Sequence, residues 1–253
     1  MAFHVTILGS GTVIPAADRG ATSLLVETKD GPYLFDCGPG VLEALEEIDF
    51  SYHLLRKIFI THFHPDHTLD IGRLLTAIHV DRTYPKGESL TFFGPLGLVD
   101  FIERWNSLYR STIPTWDFLK LIEVGEGEVH VGTDITVSAA AVDHLNQAAL
   151  AYRLDSGNSS LVFTGDTAYT ESLVRLARSS DLLVSECSFP DDLRMEGHLT
   201  PSDVGRIASH AGVGKVVLVH LYPVFGGLDP VVDVKQYYDG PVIVARDGMS
   251  FDL

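Results

Sequence analysis

Ile58-Phe-Ile-Thr-His-Phe-His-Pro-Asp-His67 decides the reading of this chain: an apolar, β-rich run ends in His62, His64, Asp66 and His67, all within six residues. Imidazole and carboxylate are the ligands a zinc-like ion prefers, and four of them on one short loop can surround a cation without help from distant parts of the chain. The stretch therefore reads as a metal-binding loop. The plain alternative is a polar surface loop that happens to be rich in histidine.

Outward from this loop, other apolar runs also end in candidate ligands. Ile135–Val142 leads to Asp143-His144, Ser160–Thr164 to Gly165-Asp166, and Lys215–Val219 to His220. Strand ends along one sheet edge are where rigid elements present side chains into a shared cleft. Taken singly, His144 reads as a turn histidine, Asp166 as a turn or helix-start carboxylate, and His220 as a satisfied core histidine. Together with residues 62–67 they read as one site.

Alternation and turn residues predict strands at Phe3–Leu8, Ser23–Glu27, Pro32–Asp36, Lys57–Thr61, Leu90–Phe93, Leu119–Val124, Ile135–Ala141, Ala149–Leu154, Ser160–Thr164, Asp181–Ser185, Lys215–Val219, Val242–Val244 and Met249–Phe251. Helical periodicity predicts Gly40–Glu47, Leu69–His79, Leu96–Leu108, Thr170–Ala177 and Pro201–His210. The last has a legible start, with Thr200 as cap, Pro201 in the first turn and Asp203 completing a capping-box pattern. The strands fall into two clusters with helices interspersed, which predicts an α/β protein: two mixed β-sheets flanked by helices, an αββα sandwich.

Composition bounds the function. The 253 residues suffice for one domain spanning 1–253, and no Pro/Gly/Ser-rich linker or repeat divides them. No apolar run has the length of a membrane span and the N-terminus lacks a basic leader, so a cytoplasmic protein is expected. Cys37 and Cys187 are the only cysteines, which fits a reducing compartment. A formal net charge of −16 argues against broad affinity for nucleic acid, although bound cations would neutralise part of it.

With these residues in place, the chain resembles the metallo-β-lactamase superfamily, whose HxHxDH signature is matched by His62, His64, Asp66 and His67. The later ligand positions follow in the expected order as His144, Asp166 and His220. Within the superfamily it looks most like the ribonuclease Z branch and its small phosphodiesterase or arylsulfatase-like relatives. The likeness extends over Leu8-Gly-Ser-Gly with Pro15 and Arg19, Asp36-Cys-Gly38, Phe93-Gly-Pro95, Thr164-Gly-Asp-Thr167 and Gly197-His-Leu-Thr200.

The resemblance implies two divalent metal ions, zinc by ligand chemistry, with manganese or iron compatible. His62, His64 and His144 would hold one, Asp66, His67 and His220 the other, and Asp166 would bridge them. It further implies hydrolysis, in which a metal-bridging hydroxide attacks phosphorus and Asp66 orients or deprotonates the attacking water. His198 would contact the scissile phosphate or protonate the leaving oxygen, with Glu186 orienting it. Homodimers are frequent among such relatives.

Departures limit the analogy. The tRNA-processing enzymes carry a projecting arm between the third histidine ligand and the bridging aspartate, yet here His144 and Asp166 are 22 residues apart. That interval is already occupied by two predicted strands joined at Asp155-Ser-Gly-Asn158. A small-molecule or short phosphodiester is thus the expected substrate rather than long nucleic acid. The alternatives are tRNA 3′ processing, then arylsulfatase, lactonase or thioesterase activity. A non-enzymatic metal-binding regulator ranks last, because no ligand is missing.

The remaining features read as structural. Gly9-Ser-Gly11 reads as a strand-ending turn, and His4, His53, His79, His130 and His210 lie outside the ligand pattern. Trp105, Tyr109, Trp116 and Phe118 are expected to pack in the core, and Tyr222 and Phe225 to flank the cleft beside His220.

Overall fold

The computed structural model describes residues 3–85, 87, 89–109 and 118–253; Trp116 lies outside them. The first sheet is built from β1 (Phe3–Gly9), β2 (Ser23–Thr28), β3 (Gly31–Phe35), β4 (Lys57–Phe59), β5 (Leu90–Gly94) and β6 (Leu119–Glu123). A second sheet takes β7 (Gly127–Val131), β8 (Thr136–Ala141), β9 (Leu150–Ser156), β10 (Ser159–Phe163), β11 (Leu182–Glu186), β12 (Val216–Val219) and β13 (Val242–Val244). The last strand, β14 (Ser250–Asp252), returns to the first sheet beside β1.

Each sheet has seven strands, in the orders β14-β1-β2-β3-β4-β5-β6 and β13-β12-β11-β10-β9-β8-β7. Both follow one plan: antiparallel hairpins lead into a run of parallel strands, β3 to β6 in one and β10 to β13 in the other.

Alternation along the strands explains the layering. In β2, Leu24 and Val26 face the second sheet while Leu25 faces the helices α1 (Val41–Glu47), α2 (Pro65–Val80) and α3 (Leu98–Leu108). In β12, Val217 and Val219 face inward while Val216 and Leu218 meet α4 (Glu171–Leu176), α5 (Pro201–Ala211) and α6 (Pro230–Val234). A period of two is what a strand with both faces covered requires. Stacked Phe35, Phe59 and Phe93 lie at the centre, with ring centroids 5.0 and 4.6 Å apart. Two hydrogen bonds cross between the sheets beside the histidine loop: Tyr152 Oη donates to Ile60 O at 2.8 Å and Leu150 N to Thr61 O at 2.9 Å.

The αββα sandwich is as expected, with local differences. Helix α2 begins at Pro65, not Leu69, so Asp66 and His67 belong to its first turn rather than to a loop. Proline suits that first turn because its missing N–H has no partner there to lose. Strand β7 runs along the sheet edge with its first residues exposed and alternates only from Glu128 to Val131, and α6 is a short turn begun by Asp229 and Pro230; neither is among the expected elements. The predicted start of α5 is present, Asp203 accepting the Thr200 N–H at 3.2 Å. Among the described residues no helix is long and apolar enough to cross a membrane.

Trp105 packs over α2 where Gly72 leaves room and Phe118 joins the same core, as expected, whereas Tyr109 stacks on Trp105 from the exposed side. Replacing Phe59 by alanine removes the middle ring of the stack. The expected loss is about 3–5 kcal/mol of unfolding free energy, measured by urea denaturation; a loss below about 1 kcal/mol would show that this stack does not organise the core.

Candidate metal centre

Every ligand candidate sits where a strand hands over to a loop or helix. His62 and His64 follow β4, Asp66 and His67 open α2, and His144, Asp166 and His220 follow β8, β10 and β12. The structure brings all seven together. His62, His64, His144 and Asp166 form one group whose ligating atoms lie within 4.8 Å of one another, and Asp66, His67 and His220 form a second. Asp166 links them: its carboxylate lies 3.8 Å from His62 Nε2, 3.5 Å from His67 Nε2 and 3.3 Å from His220 Nε2. Asp143, beside His144, is turned to solvent.

The far nitrogen of each imidazole is already engaged. His67 Nδ1 meets Asp36 Oδ2 at 2.7 Å, His144 Nδ1 meets Gly197 O at 2.7 Å, His62 Nδ1 meets Thr61 Oγ1 at 3.0 Å, and His220 Nδ1 meets Ser188 Oγ at 2.9 Å. A neutral imidazole has one N–H and one lone pair. Spending the N–H on these outer partners leaves the Nε2 lone pairs converging on the centre, the arrangement metal-bound histidines adopt. His64 is reversed: the Gln147 amide contacts its Nε2 at 2.8 Å, and Nδ1 faces inward, 3.1 Å from His144 Nε2.

The interior is short of partners. His62 Nε2, His67 Nε2 and Asp166 Oδ1 are buried without any hydrogen bond. Buried polar atoms rarely stay unpaired, because each loses its hydration with nothing in return. A divalent cation supplies what several converging lone pairs need, and the imidazole and carboxylate donors present fit such ions. Burial alone would raise the Asp166 pKa, yet His220, His67 and His62 hold it well below the usual carboxylate range. Burial pulls His67 down, but Asp166 and Asp36 outweigh it and raise the imidazole well above its ordinary value, so a cation taking the Nε2 lone pair would displace a proton from it.

Backbone geometry adapts to this crowding. Asp36, Leu145, Asn146 and His220 all have positive φ, between 48° and 60°, a conformation non-glycine residues adopt only when their surroundings enforce it. A β-carbon on Gly38 would stand 1.7 Å from Asp66 O, so only glycine lets the turn after β3 lie against the start of α2.

His198, just before α5, joins Asp166 and His220 at the edge of the cluster. Its Nδ1 lies 3.2 Å from each oxygen of Glu186, the last residue of β11. Burial lowers the His198 pKa, but Glu186 more than compensates and the imidazole is held above its ordinary range. Glu186 is itself anchored by the Thr167 N–H at 2.6 Å. Tyr222 faces the His198 and His220 rings and stacks on Phe189. Phe225, expected at the cleft, instead packs in the layer between the second sheet and its helices, among residues such as Val234 and Leu221.

His4, His53, His130 and His210 pair with Asp252, Asp81, Tyr33 and Tyr169 respectively, away from the cluster. Cys37 and Cys187 are buried and free. The outer partners Asp36, Gln147 and Ser188 had no assigned role in the sequence reading. Asp36 stands in the Asp36-Cys-Gly38 motif that carries the family resemblance, whereas Gln147 and Ser188 are marked only by proximity to ligand-bearing segments.

The chain is 31% identical to the probable metallo-hydrolase YhfI of Bacillus subtilis (strain 168), across 98% of this chain and 99% of that one. It is 26% identical to the ribonuclease Z of Mycobacterium bovis (strain BCG / Pasteur 1173P2), covering 88% and 87% of the two. The crystal structure of the metallo-β-lactamase fold protein YhfI superimposes with a TM-score of 0.83 at 26% identity, over 98% of each chain. Residues 32–221 match the Beta-lactamase superfamily domain. That span holds β3 to β12 and every member of the cluster, so the chain belongs to the β-lactamase superfamily and has its metallo-β-lactamase fold.

Proposed function

We propose that the protein is a binuclear metal-dependent hydrolase of small or short phosphodiesters. The observation that carries this reading is the convergence of three buried, unpartnered atoms, His62 Nε2, His67 Nε2 and Asp166 Oδ1. One ion, zinc by donor chemistry, would be held by His62, His64 and His144, and a second by Asp66, His67 and His220, with Asp166 between them. When bound, such a pair supplies Lewis acidity and lowers the pKa of water from about 15.7 to about 7.

The chain's own groups do the rest. Burial would raise the Asp66 pKa, but His220 and His67 keep the carboxylate below its usual range, so it is ionised and able to orient water by accepting a hydrogen bond. Glu186 engages His198 Nδ1, leaving Nε2 to give a proton to the leaving oxygen. An alkoxide departing from phosphorus needs that proton, whereas a thiolate does not, so the histidine supports an oxygen ester over a thioester.

A second reading, tRNA 3′ processing, draws support from the likeness to ribonuclease Z. Two features favour the small substrate. The interval after His144 holds only the β9–β10 hairpin, turned tightly at Gly157 and Asn158, and the net charge of −16 repels a long polyanion.

Zinc-loaded protein is expected to hydrolyse bis(p-nitrophenyl) phosphate, to lose that activity on chelation and to regain it with zinc. Asp66→Ala should abolish turnover; His198→Ala should lower kcat by about 10²–10⁴-fold on a dinucleoside phosphate, whose alkoxide must be protonated as it leaves, and far less on bis(p-nitrophenyl) phosphate, whose nitrophenolate leaves without a proton. A fully metallated protein inert to phosphodiesters, or one that cleaves a tRNA precursor at its 3′ end far better than any small ester, overturns the substrate assignment. Asp36→Asn keeps the shape of the side chain but leaves His67 and Thr61 competing for one acceptor. Competition titration should show zinc affinity reduced about 10–100-fold; unchanged affinity would mean that Asp36 serves only the fold.

A further inference from the structure

We propose that Ser188 is a positioning residue whose single hydroxyl fixes the tautomer and aim of both His220 and His198, tying one metal position to the proton donor. The inference rests on the binuclear reading above. Ser188 follows β11 and is fully buried. Its backbone is pinned between the two segments concerned, its N–H donating to Leu199 O at 3.0 Å and its carbonyl accepting from Tyr222 N at 3.3 Å. The hydroxyl oxygen then lies against three groups: a carboxylate oxygen of Glu186 in a short hydrogen bond, His220 Nδ1 at 2.9 Å and His198 Nδ1 at 3.2 Å.

Proton counting makes this contact informative. A hydroxyl has one proton and two lone pairs. A carboxylate accepts at both oxygens; one oxygen of Glu186 takes the Thr167 N–H and the other faces the Ser188 hydroxyl, so the Ser188 proton goes to Glu186. Both lone pairs of the serine oxygen then face imidazole nitrogens, which must carry hydrogens. His220 is thereby fixed with its proton on Nδ1, and Nε2 keeps the lone pair that points at Asp166 (3.3 Å) and Asp66 (3.4 Å). His198 is fixed the same way, its Nδ1–H shared between Ser188 and Glu186, with Nε2 free of all three groups.

Without the hydroxyl, the His220 Nδ1–H faces no acceptor at a position buried from solvent. His220 then gains by swapping tautomer or turning, and either change takes the lone pair away from the metal position. An ordinary buried serine would also stabilise the fold, but it would not single out one of two ions.

The test is zinc titration against a chromophoric chelator for the wild type and for Ser188→Ala, Ser188→Cys and Ser188→Thr. The wild type should bind two ions per chain. Ser188→Ala should keep one at wild-type affinity and hold the other about 10–100-fold more weakly, and Ser188→Thr, which retains the hydroxyl, should restore it. In zinc excess sufficient to refill both positions, kcat of Ser188→Ala on a dinucleoside phosphate, whose leaving alkoxide needs the His198 proton, should stay about 10-fold or more below wild type, because His198 has lost part of its tether. If Ser188→Ala does not fold, Ser188→Cys carries the same comparison, since sulfur is a weak acceptor. Two tightly held ions in the alanine or cysteine variant overturn the proposal while leaving the binuclear reading intact. Full recovery of kcat in excess zinc removes the link to His198. A wild type binding fewer than two ions overturns both readings.

Discussion

Buried lone pairs that point at one another repel unless something positive lies between them, and the rest of this structure is arranged around that constraint. His62 Nε2, His67 Nε2 and Asp166 Oδ1 have no partner, and His64 Nδ1 and His144 Nε2 face each other at 3.1 Å. An unsatisfied buried polar group costs about 1–3 kcal/mol, so lone pairs converging in this way are held together favourably only around a positive charge. The outer hydrogen bonds from Asp36, Gly197, Thr61 and Ser188 hold the imidazoles in this orientation. The fold thus keeps donors poised towards a cation instead of letting them turn away to satisfy themselves.

The two sheets share this task. Residues 62–67 come from the first sheet and its helix, while His144, Asp166 and His220 come from the second. In the proposed assignment each ion therefore takes ligands from both halves. Metal loading would act as a tie across the sandwich, at the edge where Tyr152 and Leu150 already bond to Ile60 and Thr61. Binding of this kind favours the folded over the unfolded chain by mass action.

Much of this arrangement is legible in the sequence, for identifiable reasons. The covered strands declare themselves as short continuous apolar runs, as in Leu24, Leu25 and Val26, because each face meets a different apolar layer. The inner ligands are legible because metal chemistry demands scarce residue types at strand ends. What escapes is what depends on contact alone. Pro65 marks the true start of α2, but its signal is submerged among the ligands around it. β7 lies on an edge, and its alternation is confined to Glu128-Val-His-Val131, too short to stand out from the turn residues before and after it. Ser188, Gln147 and Asp36 are ordinary polar residues whose importance comes only from the nitrogen each one faces.

The closing strand of the first sheet has a consequence for how the chain is made. Val5 pairs with Phe251 and Thr6 with Ser250, so one edge of β1 stays open until β14 has been synthesised. At about 5–20 residues per second, the intervening translation takes roughly 10–50 seconds. Throughout that interval β1 offers unpaired backbone N–H and C=O groups to any passing strand. A nascent chain of this design has reason to be shielded during synthesis, and the hazard ends only when β14 docks.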